Sequence, residues 1–174
     1  GAGKGTLVTR VRERRSNLGL TVSATTRAPR KGEVDGVNYF FLTREEFDRR
    51  VAHGEFVEWA EVHGNCYGTL VSEVTSKLAS GSSLILEIDV QGALQVKERF
   101  PEAVLIFIKL PSLEVLRERL VGRGTETPET IELRMANAAD ELALADRYDD
   151  VVVNDDLDRA TDELVRVLDM HERI

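Results

Sequence analysis

Three short runs constrain the fold of this chain more than any other feature: "LILEID" at 84–89, "AVLIFIKL" at 103–110 and "VVVN" at 151–154. Each is apolar at most positions rather than at every second one, so neither face of the strand it would form can be left in water. Strands buried on both faces belong to parallel sheets covered by helices. Helical spacing of apolar residues fills the stretches around them, at 5–15, 91–99, 112–121, 128–146 and 157–172. Strand and helix therefore alternate, and the expected architecture is α/β. With 174 residues, 42% of them hydrophobic, the chain has enough apolar material for one ordinary domain carrying a small inserted subdomain.

Residues 30–70 break this pattern. "NYFFL", "EFVEWAEV" and "NCYGT" are aromatic and half-polar, and they read as strands of a small, partly antiparallel insert around one helix in "REEFDRRVAHG". Thr43 with Glu46 three residues on forms a capping box for that helix, and Gly54 can end it. Simple alternation in "EFVEWAEV" puts Phe56, Glu58 and Ala60 on one face and Val57, Trp59 and Glu61 on the other. A second insertion opens at "GRGTETPET", residues 122–130, where Thr127 is an N-cap with Pro128 at the first helical position. Ile131, Met135, Ala138 and Leu142 follow as a core stripe, with Arg134 beside it.

Charge narrows the partners. Thirty-one acidic residues against 23 basic ones give a net charge of -8, which excludes a long nucleic-acid or anionic-membrane contact. The longest apolar run, "AVLIFI", is too short to span a bilayer, and no signal-peptide pattern opens the chain, so a soluble cytoplasmic protein is expected. The single cysteine, Cys66, has no internal disulfide partner and reads as a small buried hydrophobe. His53, His63 and His171 lie apart without metal-ligand spacing, so no protein-built metal cage is expected. Any anion must therefore be held locally. "SATTRAPRKGE", residues 23–33, gathers three cations and three hydroxyls. Pro29 keeps Ala28 out of the helical region, leaving Arg27 and Arg30 on an extended loop that is either a solvated basic turn or a two-fork clamp on a phosphate.

The chain opens "GAGKGT", a glycine-rich turn running into Lys4 and then a helix. Such a turn is either a glycine-punctuated helix start or the end of a phosphate-binding loop, in which backbone N–H groups, the helix N-terminus and the lysine cradle phosphates. The full loop pattern has a glycine three residues before Gly1 and a strand before that, so a segment carrying both is expected upstream. The position after the lysine, usually Ser or Thr, is Gly5, and the hydroxyl comes one later at Thr6. Together with the arginine loop, this suggests one phosphate site for a donor and one for an acceptor. In "LEIDVQG", Glu87 and Asp89 fall on the same side of a strand's carboxyl end, where open α/β sheets bind ligands. Two acids there call for something positive, such as Mg2+ with its waters or the N–H groups of a ligand.

Taken in order, "GAGKGT", "VSATTRAPRKGEVDGVNYFF", "EFVEWAEVHGNCYGT", "LILEIDVQGALQVK", "GRGTET" and "VVVNDDLDRA" resemble guanylate kinases over essentially the whole chain. The resemblance implies Mg2+-assisted, direct in-line transfer of the γ-phosphoryl group of ATP to GMP, giving ADP and GDP, in purine nucleotide metabolism. It implies a P-loop core with a five-stranded parallel sheet, its first strand lying before this sequence, over 1–23, 77–121 and 146–174. A mixed α+β GMP-binding insert would span 24–76, and a helical lid 122–145. By matching motif, Gly1, Ala2, Gly3, Lys4, Gly5 and Thr6 would hold the ATP phosphates, and Asn154 and Asp155 would border the adenine. Ser23, Arg27, Arg30, Tyr39 and Tyr67 would surround the GMP phosphate; Glu58, Thr69 and Glu87 would read guanine, with Asp89 near the metal or the base. Lys4, Arg30, Arg123 and Arg134 would carry the transfer, the last two from the lid, while Thr6 and Asp89 would face Mg2+ through water. The implied partners are ATP and GMP, with dGMP as a further acceptor; no oligomeric state is implied.

Two other readings use the same fold. In scaffold proteins it serves as a peptide-binding module that has lost catalysis, but here Lys4, Arg123 and Arg134 are all in place. A kinase of another nucleoside monophosphate or of a phosphorylated sugar is nearer, and Glu58, Tyr67 and Thr69 favour guanine against it.

Overall fold

The computed structural model describes residues 3–124 and 126–172. In chain order these form α1 (Lys4–Arg14), β1 (Leu18–Leu20), β2 (Ala24–Thr25), β3 (Phe40–Phe41), α2 (Arg44–Ala52), β4 (Phe56–Val62) and β5 (Asn65–Leu70). There follow α3 (Val71–Ala79), β6 (Ser83–Ile85), α4 (Val90–Arg99), β7 (Ile106–Lys109), α5 (Leu113–Arg123), α6 (Pro128–Ala143), a 3₁₀ turn (Ala145–Arg147), β8 (Asp150–Val153) and α7 (Leu157–Glu172). The chain separates into two compact units, Arg15–Ala103 on one hand and Gly1–Arg14 with Val104–Ile174 on the other. No helix among the described residues is long and apolar enough to cross a membrane.

In the Arg15–Ala103 unit, β1 and β6 pair in parallel, Leu18 beside Ser83 and Leu20 beside Ile85. A second, four-stranded sheet runs in the order β3-β2-β5-β4, with β2 parallel to β3 and antiparallel to β5, and β5 antiparallel to β4. Its apolar face buries Ala24, Phe56, Cys66 and Leu70 against Phe47 of α2, whose ring stacks on Phe56 at 4.4 Å. Thr43 caps α2 by accepting the Glu46 N–H at 3.1 Å, one half of the expected capping box; the Glu46 carboxylate accepts from Arg49 and Arg50 instead. The helix α3 has no counterpart in the periodicity reading. Nine residues show too few turns for a stripe to stand out, and its role lies in side-chain contacts. Glu73 accepts the Val22 N–H at 2.9 Å, and Lys77 donates to the Leu20 carbonyl at 2.6 Å, so α3 fixes the chain as it leaves β1 for Ser23.

Two expectations need correction. First, β4 does not alternate simply: the ladder to β5 shifts between Phe56 and Glu58, with Phe56 opposite Leu70 and Glu58 opposite Thr69. Such a bulge puts two consecutive residues on one side. Phe56 and Trp59 both meet the Phe47 ring, whereas Val57 packs with Val74 of α3 and Val96 of α4, and the Glu58 carboxyl comes against Gly92 of α4. Second, "LILEID" is a strand only as far as Ile85; residues 86–89 leave the ladder because Asp89 is taken as the N-cap of α4, accepting the Gly92 N–H at 2.9 Å.

In the other unit β7 and β8 pair in parallel from Ile106 beside Asp150 to Lys109 beside Val153, and Phe107 and Val152 are buried. Helix α1 buries Leu7 and Val11, four apart on one stripe, and α7 buries Ala160, Thr161 and Leu164. Two ion pairs, Arg10 with Asp158 and Arg14 with Asp162, repeat at the same spacing along both helices. Ser112 caps α5, and Thr127 caps α6 with Pro128 in its first turn, as the sequence implied. Helix α6 ends at Ala143, a little short of the expected 146, and the 3₁₀ turn takes over. Outside the four-stranded sheet, the parallel strands among the described residues thus form two separate pairs, β1 with β6 in one unit and β7 with β8 in the other.

Candidate active site

The residues expected on the donor side lie in the unit that contains α1. Gly3 has φ +80°, a left-handed conformation natural to glycine, and it immediately precedes the helix. It also runs hard against Asn154: a Cβ at Gly3 would lie 2.7 Å from Asn154 Nδ2. The buried Asn154 is set in turn by its backbone N–H donating to the Lys109 carbonyl at 2.8 Å. Gly3, the start of α1 and the end of β8 therefore form one local constellation. Lys4, Gly5 and Thr6 lie exposed in the first turn of α1, where the helix dipole favours an anion. Gly1 and Ala2 lie outside the described residues. Next to Asn154, Asp155 accepts from Arg159 Nε at 2.7 Å, and this bond, with a backbone bond from Asp156, holds its carboxyl below the usual range.

Of the two expected lid arginines, Arg123 is the exposed last residue of α5. Arg134 on α6 pairs through Nε with Glu126 Oε1 at 3.1 Å. Glu126 Oε2 is buried without a hydrogen-bond partner among the described residues. Sequence reasoning passed over Glu126 because it lies before the helix cap, eight residues from the arginine it meets.

The residues expected on the acceptor side lie in the Arg15–Ala103 unit. Arg27 is held in a two-point fork by Glu33, NH1 to Oε1 at 2.9 Å and NH2 to Oε2 at 3.1 Å, and its guanidinium lies 5.2 Å from the Tyr39 ring centre. Tyr39 meets Tyr67 edge-on at 6.2 Å. The backbone N–H of Arg30 also donates to Glu33, at 2.7 Å, and the Arg30 side chain stands exposed. Those bonds, led by the one from Arg27, lower the Glu33 carboxyl to about 2. Ser23 joins the same loop, its carbonyl accepting from the Phe40 N–H at 2.9 Å. The sequence had shown the arginines but not Glu33 as their organiser, although it sits in the same short loop.

Glu58, on β4, is 7% exposed, and its Oε1 accepts the Thr69 hydroxyl of β5 at 2.7 Å. The ladder register that places Glu58 opposite Thr69 makes this pair. No cation is paired with Glu58 among the described residues. Burial pushes its carboxyl up, the Thr69 bond works against that, and the charge of Asp89 adds to the rise. Asp89 lies close because both acids crowd Gly92: a Cβ there would be 2.8 Å from Glu58 Oε2 and 3.4 Å from Asp89 Oδ1. Glu87 is exposed and takes no part in this cluster's contacts.

No group of three or more His, Cys, Asp or Glu residues able to hold a metal occurs among the described residues. The donors expected for Mg2+ are a hydroxyl in the first turn of a phosphate-binding helix, Thr6, and a carboxylate, Asp89, with only Oδ1 engaged in the cap. Each of these donors by itself suits an ion that keeps most of its waters and arrives on nucleotide phosphates rather than one caged by protein.

The Guanylate kinase family model matches residues 1–171. A guanylate kinase of Halalkalibacterium halodurans is 52% identical over 168 residues, covering 97% of this chain and 82% of that protein, and one of Gloeobacter violaceus is 55% identical with the same coverage. The crystal structure of guanylate kinase from Anaplasma phagocytophilum superposes with a TM-score of 0.74 at 38% identity, over 95% of this chain and 80% of that one. With a glycine-led helix start in one unit, and an arginine–tyrosine cluster and a buried carboxylate in the other, the chain belongs to the guanylate kinase family.

Proposed function

We propose that this chain transfers the γ-phosphoryl group of ATP to GMP, giving ADP and GDP. The observation that carries the choice of acceptor is the buried Glu58 with its Thr69 hydroxyl and no paired cation among the described residues. Guanine presents two adjacent donors, the ring N1–H and the exocyclic amine, that match the two oxygens of a carboxylate; adenine presents a ring acceptor beside its amine. A buried acceptor left unpaired is costly, so such a site rejects the wrong base.

In this reading the first turn of α1, with Gly1, Ala2, Gly3, Lys4, Gly5 and Thr6, holds the ATP phosphates, and Asn154 and Asp155 border the adenine. Ser23, Arg27, Arg30, Tyr39 and Tyr67 hold the phosphate of GMP, with Arg27 already oriented by Glu33. Glu58, Thr69 and Glu87 read the base, Glu87 approaching it from its exposed position. An oxygen of the acceptor phosphate attacks the γ-phosphorus as the bond to the β-phosphate oxygen breaks, and ADP leaves. The attacking oxygen is already ionised, so no strong general base is needed, and the protein's work is positioning and charge neutralisation. Lys4 and Arg30 fix donor and acceptor, while Arg123 and Arg134 neutralise the transferring group. Mg2+, assigned to Thr6 and Asp89 through water, supplies further charge neutralisation on the phosphate oxygens. The same reading carries the family's five-stranded P-loop core (1–23, 77–121, 146–174), GMP-binding insert (24–76) and lid (122–145). It accepts dGMP, whose base and phosphate are the same, and it places the reaction in the cytoplasm, in keeping with one buried, unbridged Cys66.

The test is Glu58→Gln. Steady-state rates with GMP and with IMP, which lacks the exocyclic amine, should show kcat/KM for GMP reduced more than about tenfold, on the scale of one charged hydrogen bond. The GMP-to-IMP ratio should narrow. A variant that keeps the parent's ratio removes Glu58 from base recognition.

A further inference from the structure

Strand β4 is an edge of its sheet: β5 pairs with one side, and among the described residues no strand pairs with the other. Its free side is nevertheless bonded, at two places, by one face of α4. The Gln95 amide closes a two-point clamp on Trp59, accepting the backbone N–H at 3.1 Å and donating Nε2–H to the carbonyl at 3.2 Å. One turn further along the helix, Arg99 donates to the Phe56 carbonyl at 3.3 Å. Three residues before Gln95 on the same helix is Gly92, whose lack of a side chain leaves space for the Glu58 carboxyl. Positions 92, 95 and 99 thus follow the spacing of one helix face, and together they meet the carboxyl, the following peptide and the preceding carbonyl of the β4 bulge.

We infer that Gln95 is a specificity-positioning residue: its side-chain amide substitutes for the missing neighbouring strand and fixes the peptide next to Glu58, so that the carboxylate is presented to the base at one angle. A bulge interrupts the ladder just where this presentation has to be accurate. The Trp59 amide follows the Glu58 carbonyl, so holding both polar groups of Trp59 sets the backbone on which the Glu58 side chain is mounted. Two-point recognition of two adjacent donors tolerates displacement of only about half an ångström. Without the clamp, Glu58 keeps its Thr69 bond but can swing with the loosened edge. Gln95 touches no substrate in this reading; it acts through Glu58. The inference rests on Glu58 reading guanine.

The experiment replaces Gln95 by methionine, which is close to it in shape and lacks both amide groups. The loss of the clamp should lower kcat/KM for GMP roughly two- to tenfold, the scale of ordinary hydrogen bonds, chiefly through KM. It should narrow the GMP-to-IMP ratio while leaving KM for ATP unchanged, and amide exchange at Trp59 should quicken. In a Glu58→Gln background the same substitution should leave the ratio where Glu58→Gln has already put it, because both act on one contact. Should Gln95→Met not fold, Gln95→Asn, which withdraws the same amide by one methylene, should shift the ratio in the same direction. A parent-like ratio in a folded Gln95 variant, with losses equal for GMP and IMP, overturns the proposal and makes Gln95 a cap on the sheet edge. If Glu58→Gln itself keeps the parent's ratio, the guanine reading fails first and this proposal falls with it.

Discussion

Glu33 is a half-buried acid that organises the arginine loop. It takes both arms of Arg27 and the backbone N–H of Arg30, and its carboxyl is lowered to about 2 from 4.5. An acid whose folded value is depressed contributes stability that is complete above its unfolded value and is lost as pH falls toward the folded one. The loop from Arg27 to Glu33 should therefore hold its form down to about pH 4.5 and loosen between there and about pH 2. An NMR titration of the Glu33 carboxyl reads this directly, and a midpoint near 4.5 would mean that the fork does not persist in solution. Glu33→Gln at neutral pH should raise KM for GMP several-fold without altering KM for ATP, since a neutral amide holds one arm of the guanidinium less firmly than a carboxylate holds two. Glu58 works in the opposite sense: burial raises its carboxyl, so the ionised form that the proposed base recognition needs comes at a cost to the fold.

At the scale of elements, α4 supports the whole carboxylate cluster through its cap, its glycine and its amide. Gly92→Ala isolates the glycine. Alanine favours a helix interior by about 1 kcal/mol over glycine, yet its methyl would press on Glu58 Oε2 and Asp89 Oδ1. Helix propensity should keep the melting temperature near that of the parent while kcat/KM for GMP drops at least several-fold; unchanged kinetics would mean that Glu58 has another place to go. What the sequence revealed and what it hid divide along physical lines. Caps were legible, Thr43 with Glu46 and Thr127 with Pro128, because they depend on residues three apart. Helices of ten or more residues were legible from their stripes. The bulge at Val57 was not, because it is decided by which core each neighbour can fill: Phe56 by Phe47, Val57 by Val74 and Val96. Nor was the early end of "LILEID", where a cap for α4 outweighs two more strand residues. For the site, residue types could be read, but pairings between distant elements, Gln95 with Trp59 or Glu73 with Val22, leave no trace in spacing.

For the whole molecule, the residues assigned to the donor and those assigned to the acceptor fall in different compact units, Lys4 and Asn154 in one, Arg30 and Glu58 in the other. Arg30→Ala should consequently reduce GMP affinity about ten- to a hundredfold, the range of charged hydrogen bonds, and leave ATP affinity intact when both are measured by calorimetry. Equal losses would show that the arginine maintains the fold instead. The buried Cys66 gives the molecule a built-in clock. It is the only thiol in the chain, wholly enclosed among Ala24, Phe47, Phe56 and Leu70, and burial pushes it up toward the unreactive protonated form. A thiol reagent can reach it only when that core parts, so the rate of labelling counts every opening that separates α2 from the β3-β2-β5-β4 sheet. GMP, which the proposed function places on the same sheet, should slow the count, and ATP alone should leave it running at its resting pace.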